Sequence, residues 1–85
     1  MHREQIITAV WLPLTAHQER ELVAASERPN GTVTARLLAT RARLVGLQLA
    51  TWVDPTNPSE CRLTTTGYMY ANKLRDTWAR YGSPE

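Results

Sequence analysis

The chain has 85 residues, 42% of them hydrophobic, and a formal charge of +2. That is enough for one core, too apolar for a disordered segment, and too weakly charged for its sign alone to name a partner. Its apolar runs fall far short of the roughly 20 residues that span a bilayer, and Cys61, the only cysteine, excludes an internal disulfide or a thiolate zinc site and fits a reducing compartment.

The start of the chain, Met1 to Gln5, has neither the long apolar run nor the small-residue cleavage site of a secretory signal, so a cytoplasmic protein is expected. Ile6, Ile7, Val10 and Trp11 then fall on one helical stripe, and a first helix over 3–11 is expected. The same residue types also favour strands. Pro13 ends the segment either way. Thr15, Ala16, His17 and Gln18 form a capping box, so a second helix starts there and runs through Leu22, Val23 and Ala25 to about Glu27. Pro29, Asn30 and Gly31 make a turn.

The stretch from Thr32 to Val45 reads as a third helix. At 100° per residue Val33, Leu37 and Leu44 lie within about 40° of each other and form an apolar face. Arg36 and Arg43 stand opposite, with Thr32, Ala39 and Thr40 beside them. Arg41 falls inside the apolar arc, where its stem can pack while its head reaches solvent. From Thr32 to Val53 there are three arginines and no acidic residue, so positive charge is concentrated on this element. Gly46 stops the helix.

From Leu47 to Val53 the period becomes two, with Leu47, Leu49, Thr51 and Val53 on one face and Gln48, Ala50 and Trp52 on the other. Asp54 to Glu60 is a loop by composition, and Cys61 to Thr64 resumes the alternation with Cys61 and Leu63 inward and Arg62 and Trp52 on the outward face, where Trp52 is expected to pack against another element of the chain. A last helix, capped by a threonine of Thr64–Thr66, carries Tyr70, Ala71, Leu74, Trp78 and Tyr81 as one stripe until Gly82 and Pro84 end it. Gly67 lets that helix start close against the hairpin.

The order is helix, helix, turn, helix, hairpin, helix. Val45-Gly46-Leu47 followed by the hairpin and then Leu63-Thr64-Thr65-Thr66-Gly67 resembles the glycine-leucine, wing and LT-x-x-G passage of winged helix-turn-helix transcription factors of the MarR type. The resemblance implies an α+β, mainly α domain: winged helix-like, three to four helices with one two-stranded antiparallel hairpin. The resemblance covers about residues 15–81, and a single domain over 1–85 is expected, with the wing at about 47–64 and the C-terminal helix at about 65–81.

The resemblance further implies a cytoplasmic, bacterial or phage transcription regulator that binds double-stranded DNA in a sequence-specific way. The 32–45 helix would lie in the major groove, with Thr32, Thr34, Arg36, Ala39, Thr40, Arg43 and, from the wing, Arg62 as contacts. Such regulators pair through terminal helices, so a homodimer seam of Trp11, Tyr70, Leu74, Trp78 and Tyr81 is expected. The wing carries Asp54 and Glu60 where DNA-binding wings carry bases. That favours the alternative, a winged-helix module that binds and modulates a host or partner protein.

Nothing points to catalysis. His17 has Glu19 and Glu21 beside it but no nucleophile placed by spacing. Gly31, Gly46, Gly67 and Gly82 read as helix punctuation and not as a phosphate loop. No enzyme activity, metal or cofactor is expected.

Overall fold

Local chemistry sets the first element as the sequence predicts. In the computed structural model, which describes residues 12–83, helix α1 is Ala16–Ser26. Thr15 Oγ1 accepts from the Gln18 amide at 3.1 Å, and Gln18 Oε1 accepts from the Thr15 amide at 3.0 Å. Gly31 closes the following turn with φ +64°, a conformation that costs a glycine little. The first expected helix, over 3–11, lies outside the described residues.

The next element differs from the expectation. Thr32–Val33 is a strand, β1, and the helix α2 begins only at Leu38 and runs Leu38–Gly46. Thr32 pairs with Arg62 and Val33 with Cys61. Both are β-branched residues that fit a pleated surface better than a helix turn. Long-range pairing therefore overrides the helical stripe read from the sequence. Leu37, read as a core residue of that stripe, is instead the N-cap of α2 and is 64% exposed.

Strands β2, Ala50–Asp54, and β3, Asn57–Leu63, form the hairpin. The loop is shorter than the seven residues expected. Pro55 and Thr56 alone connect the strands, because Asp54 Oδ1 accepts from the Thr56 amide at 2.9 Å and from its hydroxyl at 2.7 Å. The amide first, and then the hydroxyl, hold the Asp54 carboxyl below its ordinary pKa. With β1 the sheet has three antiparallel strands in the order β1-β3-β2, so the expected two-stranded hairpin is one strand short.

Trp52 also changes face. It pairs with Cys61 on the inner face, and it packs against the rest of the chain as expected, though on the core side. The cause lies at Gln48, whose φ of 63° turns the chain sharply after α2. Leu49 is buried as part of that turn, and strand alternation starts only at Ala50.

Helix α3, Thr65–Tyr81, starts as expected, with Thr64 Oγ1 accepting from the Gly67 amide at 3.0 Å. The helices and the inner sheet face enclose a core that includes Leu22, Leu44, Leu49, Cys61, Tyr70 and Leu74. Tyr70 and Leu74 are each 1% exposed. They belong to the chain's own interior and are corrected from the expected dimer seam, because α3 turns its stripe onto α1 and the sheet. Of that seam Trp78 is half-buried, Tyr81 is exposed, and Trp11 lies outside the described residues.

Cys61 faces inward from β3 and is fully buried. Burial pushes its thiol up, against a smaller opposing pull from Arg41. Both features slow thiolate chemistry. In the folded protein Cys61 is expected to resist a thiol reagent and to react once denaturant is added. Rapid labelling without denaturant would show that β3 has the opposite facing.

Candidate nucleic-acid interface

Helix α2 has nine residues and is about 14 Å long. Thr40 and Leu44, one turn apart, anchor it in the core. Its outer face carries Leu38, Ala39, Ala42, Arg43 and Gly46, all exposed. Small residues on this face let the helix backbone approach a surface closely. No carboxylate occurs from Thr32 to Val53, so the face presents positive charge only.

The expected DNA contacts are divided by the fold. Ala39 and Arg43 lie on the outer face of α2, and exposed Thr34 and Arg36 stand in the segment just before it. Thr40 does not reach this surface. It is 4% exposed because it shares the core-facing side of Leu44. Thr32 and Arg62 are paired on the sheet, with Thr51 on the other side of Arg62. Arg62 is on the solvent face, away from the core, and lies 3.8 Å from the Glu60 carboxylate. That exposed pair is worth little in stability, but it places a negative charge beside the cation.

The arginines have different duties. Arg41 was read as an exception to the helical pattern and is a latch. Its guanidinium donates to the carbonyls of Ala35 at 2.7 Å, Arg36 at 3.0 Å and Pro58 at 3.0 Å. It thereby ties α2 to the segment before it and to β3. The signal was in the sequence: a cation inside an apolar arc needs acceptors. Arg43 donates to the Pro13 carbonyl at 3.1 Å while remaining exposed. The Arg36 side chain makes no hydrogen bond or ion pair with any described residue, and only its backbone carbonyl is held, by Arg41.

Among the described residues no helix is long and apolar enough to cross a membrane, and no three His, Cys, Asp or Glu side chains converge as metal ligands would. In comparisons with known proteins the chain matches no family model, no curated protein and no solved structure.

Proposed function

We propose that this chain is a DNA-binding regulator of winged-helix type, with α2 as the element that enters the major groove. The observation that carries the reading is the outer face of α2: Ala39, Ala42 and Arg43, with Arg36 just ahead, in a stretch free of carboxylates. The element order and a hairpin that follows α2 directly support it. Ala39 and Ala42 allow close approach, and Arg36 and Arg43 reach phosphates or guanine edges.

The test is the double change Arg36→Ala with Arg43→Ala, assayed by gel-shift on genomic fragments at two salt concentrations. Each lost contact is expected to weaken binding by about 1–3 kcal/mol, with a shallower salt slope where a phosphate contact goes. Circular dichroism checks that the variant folds. A folded double variant with wild-type affinity for DNA would overturn the reading.

A second reading, a module that binds a protein, is favoured by Leu37 and Leu38. They are 64% and 50% exposed side by side at the start of α2, a feature that phosphate contact does not use and that protein interfaces do.

A further inference from the structure

Residues 34–36, between β1 and α2, belong to no element, and among the described residues they make no backbone–backbone hydrogen bond. Ala35 is buried in the core, but a single methyl fixes a point and leaves rotation about it open. What holds the backbone there is Arg41. Its Nη1 donates to the Ala35 carbonyl at 2.7 Å and to the Arg36 carbonyl at 3.0 Å, while its Nε donates to the Pro58 carbonyl of β3 at 3.0 Å. One guanidinium on α2 thus sets this segment, the helix and the second strand of the hairpin relative to one another.

The Arg36 side chain is exposed and has no partner among the described residues. Nothing at its own tip decides where its charge stands. The backbone beneath it does, and that backbone depends on Arg41. Arg43 is placed differently. It projects from α2, which Thr40 and Leu44 anchor in the core, and it donates to the Pro13 carbonyl at 3.1 Å. The two exposed arginines therefore rest on different supports.

We infer that Arg41 is a positioning residue for the DNA contact: by holding the Ala35 and Arg36 carbonyls it keeps Arg36 in place beside α2, so that Arg36 and Arg43 meet DNA together, and it makes no contact with DNA itself. The inference rests on the DNA-binding reading. A backbone ordered in advance loses little freedom on binding. Lysine cannot take over this duty. It has as many donors as there are carbonyls, but all of them radiate from one nitrogen, whereas the Arg41 bonds leave from two nitrogens of a rigid plane. A lysine nitrogen can stand at one of those two places and not at both.

The test is a double-mutant cycle, read by gel-shift on the genomic fragment that the parent chain retards most strongly, with circular dichroism to check that each variant folds. Arg41→Lys, which keeps the charge, is expected to weaken binding about as much as Arg36→Ala, by roughly fivefold or more. Adding Arg36→Ala to Arg41→Lys is expected to cost less than about twofold further, whereas Arg43→Ala costs as much in that background as in the parent chain. In the unaltered chain the Arg36 Nε–H signal in NMR is expected to move when the fragment is added, and the Arg41 Nε–H signal to stay. That measurement holds even if Arg41→Lys does not fold. Parent affinity in Arg41→Lys or in Arg36→Ala, a full additional loss from Arg36→Ala in the Arg41→Lys background, or an Arg41 signal that moves as far as that of Arg36 would each overturn the inference and leave the DNA-binding reading standing. A parent chain that retards no fragment would overturn both.

Discussion

Gly67→Ala is expected to destabilise the protein by about 3 kcal/mol or more and to leave much of it unfolded at moderate urea. Gly67 is the third residue of α3, where a Cβ would overlap the Leu49 carbonyl oxygen. That carbonyl cannot withdraw easily. It accepts from the Thr64 amide at 3.0 Å, and the Leu49 side chain is fully buried. Overpacking against side chains that can yield costs about 1–3 kcal/mol, and backbone yields less. Helix propensity alone gives the opposite sign, because alanine is better than glycine in a helix by about 1 kcal/mol. A urea midpoint at or above that of the parent chain would show that α3 starts with room to spare.

Tyr70 gives the other large effect. Its ring is 1% exposed in the middle of the core, and its hydroxyl accepts from the Leu12 amide at 2.8 Å. Tyr70→Ala is expected to cost about 3–5 kcal/mol, the range for removing a buried aromatic ring. Tyr70→Phe keeps the ring and loses the acceptor, at about 1 kcal/mol. In the Phe variant hydrogen exchange at the Leu12 amide is expected to speed up while the core amides of α3 stay protected. If the two variants proved equally unstable, the hydroxyl and not the ring would be the anchor. Either cost would appear in dilute protein, because Tyr70 contacts its own chain.

What the sequence made legible was chemistry acting over a few residues. The Thr15 and Thr64 caps, the turn at Gly31, the close start of α3 at Gly67 and the inward Cys61 all follow from neighbours in the chain. What it hid was decided at a distance. Thr32 and Val33 are strand only because Arg62 and Cys61 arrive beside them. Trp52 faces inward because one left-handed residue, Gln48, resets the phase of the strand. The candidate interface was legible in the same measure. Ala39 and Arg43 are exposed as their spacing implies, Arg36 is exposed but in the segment before α2 and not on the helix expected there, and Thr40 was misread although it stands one turn before Leu44. Exposed Leu37 and Leu38 could not be foreseen, since they depend on where α2 begins.

The sheet order also bears on how the molecule assembles. The central strand β3 has one neighbour, β2, joined to it by two residues, and another, β1, separated from it by all of α2 and β2. Hairpins close within microseconds, whereas distant pairings must first bring together the ends of a long loop. During synthesis α1 and β1 leave the ribosome before β3, with Arg28 already able to hold the Thr32 carbonyl at 2.9 Å. The strand they wait for does not exist until Cys61 and Arg62 have been made. Strand β1 is therefore made well before the strand that gives it a place in the sheet.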